Sequence, residues 1–174
     1  MQIDRLEETR LTAQDEGQIA ALMARAFPTE FNGRSYFHQR HHIRLVVHAP
    51  HIIGHMALTF RDIRIADALI PIIGLAEVAT DPDHRGKGIA GALLEAAIAE
   101  ARASLATHML LFGDAKLYAA TGFRPVHNKM RYVVIHNART LRTQTANADS
   151  LMVLHLRDLP WPDGADLDML GHLF

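Results

Sequence analysis

Apolar residues return at helical spacing in two stretches of the chain. Between Thr12 and Pro28 the positions Ile19, Leu22, Met23 and Phe27 form one stripe, with Thr12 as N-cap and Asp15 and Glu16 in the first turn. The second stripe, Ile89, Leu93, Leu94, Ala97, Ile98 and Ala101, keeps Glu95, Glu100 and Arg102 off its face and predicts an amphipathic helix. Elsewhere the pattern shortens to strand-like runs. Gln2 to Leu11 predicts a first strand, and Ile43–His48 and Ile52–Phe60 predict a hairpin across APH. IRIADALIPIIGLAEVAT predicts a short strand and a long one ending near Thr80, with bends at Asp67 and Gly74. HMLLF reads as a buried strand and GDAKLYAATGF as a brief helix capped by Asp114 and closed by Gly122. KMRYVVIHN and SLMVLHL are the last expected strands, joined by a polar linker. Residues 158–174 form a Pro- and Asp-rich tail expected to pack back on the domain.

Composition narrows the picture. A chain of 174 residues that is 49% hydrophobic and 21% charged supports one packed domain spanning 1–174 rather than two. The formal net charge of -1 lacks the basic excess of a nucleic-acid binder. The absence of cysteine removes disulfides, thiolate metal sites and a cysteine nucleophile. The amino terminus is acidic and polar, unlike a secretory signal, and the longest apolar stretch, Ala66 to Ala79, is broken by Asp67, Pro71 and Glu77. A soluble, cytoplasmic protein without membrane contact, assembling as a homodimer, is expected. HQRHH, from His38 to His42, lacks a supporting carboxylate pattern and reads as a solvated loop or helix face, so no metal is expected.

The chemistry concentrates in DHRGKGIAGALL, Asp83 to Leu94. Gly86, Gly88 and Gly91 match the G-x-G-x-x-G spacing of a dinucleotide turn, while Arg85 with the same glycines suits an acyl-CoA pyrophosphate loop. Both use backbone N–H groups and a helix N-terminus to hold phosphate. Against the dinucleotide reading, DPDHR separates the preceding strand from Gly86, and the chain after Phe123 predicts antiparallel strands rather than further βαβ units. A nucleoside-triphosphate loop would need Lys and Ser or Thr where Ala92 and Leu93 follow Gly91.

VATDPDHRGKGIAGALL, followed after a helix and a strand by LYAATGF, resembles the GNAT superfamily of acyl-CoA-dependent N-acyltransferases. Element order fits that family to about Leu156; Ala90 stands where many members carry glycine. WPDG after LMVLHL also resembles the carboxyl-terminal ends of aminoglycoside 2'-N-acetyltransferases and nodulation N-acyltransferases. The resemblance implies an α+β fold (α/β by some schemes), with a mixed, mostly antiparallel sheet splayed at the cofactor strand and flanked by helices.

It further implies that acetyl-CoA pairs with the backbone around Val78, Ala79 and Thr80, with its pyrophosphate held by Arg85, Gly86, Lys87, Gly88, Ile89 and Ala90. Lys87 is read equally as a solvated charge. Tyr118 matches the family tyrosine that protonates or hydrogen-bonds the departing sulfur; its other reading is core packing, with Leu117 and Phe123. Glu77, three residues before Thr80, is the candidate base, acting directly or through water, or else a substrate ligand or an ordinary edge-facing acid. Asp114, Asp149, Asp163, Asp166 and Asp168 are candidate partners of a cationic or amino-sugar acceptor, with Trp161 as a wall for a sugar ring. Solvated loops, a helix cap at Asp114 and a tail anchor at Trp161 account for the same residues. The expected activity is acetyl transfer from acetyl-CoA to a primary amine of a small molecule by direct attack on the thioester. A non-catalytic acyl-CoA sensor or scaffold and a nicotinamide-dependent oxidoreductase are the competing readings.

Overall fold

The computed structural model of the chain describes residues 1–114 and 118–174. It forms two compact units, one of Met1–Thr59 with Leu75–Glu100, the other of Phe60–Gly74 with Ala101–Phe174. The first holds β1 (Asp4–Glu7), α1 (Ala13–Ala26), β2 (Ile43–His48), the start of β3 (Ile52–Ile65), the end of β4 (Ala68–Thr80) and most of α2 (Ile89–Ala103). The second holds the remaining parts of β3 and β4 with β5 (His108–Phe112), β6 (Arg124–Pro125), β7 (Lys129–His136), β8 (Arg139–Asn147), β9 (Leu151–His155) and β10 (Asp166–His172). The fold is α+β, a mixed sheet with two helices.

In the first unit, Thr12 and Asp15 form a reciprocal capping box that starts α1 at the expected place. Ile19, Leu22 and Met23 then bury against Phe31, Val46, Ile52 and Ala79. β1 pairs antiparallel with β2, and β2 with β3. At the start of α2, Ile89 and Leu93 press onto β3 at Gly54, where an added Cβ would come within 2.4 Å of the Ile89 side chain. The missing side chain at Gly54 therefore sets how closely α2 approaches the strand.

In the second unit β10 lies between β3 and β7, antiparallel to the first and parallel to the second. Its core gathers Ile63, Ile65, Ile72, Leu110, Leu151, Val153, Leu167 and Met169 around Trp161. Several expectations change here. The carboxyl-terminal segment is a strand within the ladder, because Leu167 and Met169 alternate inward. The polar linker is β8, an exposed strand paired along β7, and its turn has Asn137 and Ala138 both at positive φ. Asn followed by Gly is the familiar signal for that turn, so Ala138 hid it. β3 runs on past Phe60 to Ile65, and the bend expected at Gly74 is strand interior. Gly74 instead makes room for the Phe174 ring, which an added Cβ would meet at 2.6 Å. The first strand is shorter than expected and gives way to a 3-10 turn at Glu8–Arg10. Of the segment expected as a helix after β5, residues 115–117, and with them the expected place of Leu117, lie outside the described residues. Tyr118 is helical, Ala119–Thr121 form a 3-10 turn, and Gly122 closes it at φ 94°.

Gly54→Val should drive Cβ into Ile89 and displace the first turn of α2. A loss of about 1–3 kcal/mol is expected from such overpacking, read as a lower urea midpoint with an unchanged m-value.

Candidate active site

The turn that follows β4 is held from behind and open in front. Asp81 N–H donates to the Ile53 carbonyl (2.8 Å), and the Asp81 carboxylate accepts from Asp83 N–H (2.9 Å) and from Arg25 Nε (2.8 Å). Arg25 also reaches Asp83 at 2.8 Å. These bonds fix the 3-10 turn Pro82–His84 against β3 and α1. Beyond it Arg85, Gly86, Lys87 and Gly88 are exposed. Gly86 and Gly88 lie at φ 75° and 76°, a region that side chains disfavour, and an added Cβ at either would meet nothing within 4 Å. α2 begins at once, with Ala92 N–H donating to the Gly88 carbonyl at 3.0 Å. The site thus presents a helix N-terminus, two left-handed glycines with free space before them, and the charges of Arg85 and Lys87. That donor set fits a diphosphate. The Ile89 side chain is buried on Gly54, and Ala90 is half-buried. Ala79 is buried in the core under α1, with Val78 and Thr80 half-buried beside it.

Glu77 sits one residue earlier, in an environment that its sequence position did not reveal. Its φ is 52°, a left-handed residue inside a strand. One carboxylate oxygen accepts from Phe37 N–H at 2.7 Å and lies 3.0 Å from His41 Nε2, at an angle outside hydrogen-bond geometry; the other accepts from Arg44 Nη1. Arg44 is fully buried. It also forks onto Glu8 through Nε (2.6 Å) and Nη2 (3.2 Å) and donates to the Ser35 carbonyl at 3.1 Å. Burial pushes the Glu77 carboxyl up, but His41, Arg44 and His55 outweigh it and hold the group at about 2. His55, completely buried, is pushed down to about 4 by burial and by the Arg44 charge. Its Nδ1 donates to the Glu77 carbonyl at 2.8 Å, leaving Nε2 to face Arg44 at 3.3 Å as an acceptor, the pattern of a neutral ring. His41 is buried and bonded to Thr59, which corrects the expectation that HQRHH is wholly solvated. Glu8, Arg44 and His55 were not singled out from sequence. The one visible signal was a charge at Arg44 inside the apolar run IRLVVH.

In the second unit Tyr118 is 7% exposed, its ring edge-on to Phe123 and packed on Gly113, where a Cβ would come within 2.8 Å of the tyrosine. Burial raises its pKa above the ordinary value, so the hydroxyl is protonated at neutral pH. Asp114 and Asp149 are exposed at the same end of the β5–β9 ladder, which closes with Gly113 N–H donating to the Ser150 carbonyl at 3.0 Å.

Trp161 is elsewhere. Its indole meets His108, the first residue of β5, edge-on at 5.3 Å; its N–H donates to Asn128 Oδ1 at 2.9 Å; and it is 9% exposed within the core. It anchors the tail and has no free face for a sugar ring. Asp163 accepts from His127 N–H (2.6 Å) and Gly164 N–H (3.1 Å). Asp166 shares a surface pocket with Arg64, Lys129 and Arg131, and Asp168 pairs with Arg131 at 3.6 Å. The expected acceptor set therefore divides, with Asp114 and Asp149 past one end of β5, Trp161 at the other, and Asp163, Asp166 and Asp168 around β7 and β10.

A family model described as an acetyltransferase (GNAT) domain matches residues 8–126, more than half of the chain. The chain belongs to the GNAT acetyltransferase family. No curated protein matches it. Among solved structures it is similar to a GNAT-family acetyltransferase from Brucella melitensis in complex with acetyl-CoA (19% identity, TM-score 0.59, covering 95% of this chain and 94% of that one). It is similar also to the GNAT-family N-acetyltransferase YhbS from Escherichia coli in complex with CoA (17%, 0.62, 96% and 88%). A third is the IAA acetyltransferase from Bacillus cereus (18%, 0.55, 88% and 98%). These likenesses show the fold. No helix among the described residues is long and apolar enough to cross a membrane.

The buried groups predict how stability depends on pH. His55, and His108 likewise, is held near 4 in the fold against an ordinary 6.5, so the unfolded chain takes up the proton first. Stability should fall as pH drops from about 6.5 to 4, each fully coupled histidine contributing a slope of about 1.4 kcal/mol per pH unit within that window. Glu77, lowered from 4.5 to about 2, contributes stability above pH 4.5 that is lost as pH falls toward 2. Urea unfolding at about pH 7.5, 5.5 and 4 should show the first decline, and His55→Asn should flatten it relative to the parent.

Proposed function

We propose that the protein transfers an acetyl group from acetyl-CoA to a primary amine of a small molecule. The observation that carries this reading is the pair of left-handed glycines, Gly86 and Gly88, opening onto free space at the start of α2. Acetyl-CoA supplies an acyl group activated as a thioester. Backbone N–H groups from Arg85 to Ala90 and the positive end of α2 hold its diphosphate, with Arg85 and Lys87 adding charge. Following the family pattern, the backbone of Val78, Ala79 and Thr80 aligns the pantetheine arm.

In the transfer the amine nitrogen forms a bond to the acetyl carbon, the carbon–sulfur bond breaks, and the sulfur takes a proton. Tyr118 holds that proton at Oη. Its burial keeps the hydroxyl protonated at neutral pH, the form that can donate to the sulfur. The amine loses its own proton to water. Glu77 is a poor base for that step, since a carboxyl held near 2 and engaged by Phe37, His41 and Arg44 has little affinity for a proton. Its role in this reading is to pin the left-handed residue of β4. The acceptor is a primary amine; Trp161 and Asp163, the residues suited to an amino sugar, are engaged within the fold. A cytoplasmic homodimer is part of the same proposal.

Gly88→Val forces a β-branched residue to a left-handed φ and fills the phosphate space. It should weaken CoA binding, measured by calorimetry, at least tenfold, and clear preference for NAD over CoA would overturn the assignment. Tyr118→Phe should keep CoA affinity while slowing turnover by about 10²–10⁴, the range of general acid catalysis. Glu77→Gln should leave the acidic limb of the pH–rate profile in place, and its disappearance would restore Glu77 as the base.

A further inference from the structure

In the second unit, β3 carries Arg61, Ile63 and Ile65 in one inward row. Ile63 and Ile65 are 0% and 1% exposed and belong to the core around Trp161. Arg61 occupies the next place in that row, and its hydrogen-bonding edge is buried: Nε and Nη2 have no partner among the described residues. The guanidinium carbon lies 5.2 Å from the centre of the Phe174 ring, which covers one face. That ring fills the space left by Gly74 and packs 5.4 Å from Phe112, the last residue of β5, whose neighbour Gly113 carries Tyr118. Burial lowers the Arg61 pKa to about 10 with no acid among the described residues to offset it, and the group remains charged at neutral pH.

An aromatic face attracts a cation but satisfies none of its N–H groups, and a buried donor left unpaired keeps its full desolvation cost. An apolar residue would continue the Ile63–Ile65 row without that cost. A partner from outside the chain accounts for the arginine. Nε–H and Nη2–H run parallel along one edge of the guanidinium, the fork that matches two oxygens of a carboxylate or phosphate.

We propose that Arg61 recognises an oxyanion carried by the acceptor amine, with Phe112 and Phe174 forming the apolar wall beside it. This rests on the acetyl-transfer reading for the amine, and it makes the acceptor an acidic amine, an amino acid or an amino phosphate, rather than a cationic one.

The test compares the parent with Arg61→Met, which keeps the length of the side chain and removes the unpaired charge. Initial rates with acetyl-CoA are measured on L-amino acids against their carboxamides, and on phosphoethanolamine against ethanolamine. The acidic member of one series should be preferred at least tenfold in kcat/KM, and which series shows it separates carboxylate from phosphate. Arg61→Met should erase that preference while leaving the KM for acetyl-CoA and the rate on the neutral amine within twofold. Thermal melting gives a readout independent of transfer. Arg61→Met should melt higher than the parent, and millimolar benzoate or inorganic phosphate should raise the Tm of the parent only. Equal rates on acidic and neutral amines, or a preference that survives Arg61→Met, overturn the proposal. If no amine is acetylated but anions raise Tm through Arg61, the anion site stands and the acetyltransferase reading fails; if neither effect occurs, the proposal fails as well.

Discussion

The first unit is organised around one buried cation. Arg44 has no exposed surface and divides its donors among Glu8, Glu77 and the Ser35 carbonyl, so a single guanidinium joins the 3-10 turn after β1, the segment before β2, and β4. Removing one partner of such a network strands a buried charge, which is far more costly than the network's net contribution. The left-handed backbone of Glu77 persists because its surroundings overdetermine it: Phe37 N–H and Arg44 hold the side chain, and His55 holds the carbonyl. A residue fixed that firmly suits positioning better than proton transfer.

The glycine turn shows the complementary arrangement. Asp81 and Arg25 brace its base, and Gly54 lets the start of α2 settle closely on β3, so the helix N-terminus is aimed by packing behind it. Its front offers two left-handed glycines with open space before them and the first turn of a helix. Rigid support behind an open face is the form expected of a preorganised anion site, where little ordering cost remains when the ligand arrives.

Arg44, fully buried, and Arg61, half-buried with Nε and Nη2 out of solvent, make an instructive pair. Arg44 is saturated by its own chain, whereas among the described residues Arg61 has an aromatic ring against its face and two donors without partners. Stability alone would favour an apolar residue at position 61, as it does at Ile63 and Ile65 beside it. Retaining a group that destabilises the fold is common where the group serves a ligand.

Local signals along the chain determined both helices, the cap of α1, the strands around them, and the glycine turn, because capping, 3.6-residue periodicity and glycine spacing are properties of near neighbours. The GNAT family was legible for the same reason, its motif being a contiguous turn and helix. Tertiary structure alone decided the rest. β8 was hidden by an alanine in a turn that usually takes glycine, and β10 by a Pro- and Asp-rich approach that looks like a tail. Glu77 reads in sequence as an available acid and Trp161 as an available ring; both are engaged by partners more than 30 residues away, Arg44 and Asn128. Ionisation and exposure depend on what is brought close in space, and spacing along the chain does not encode that distance.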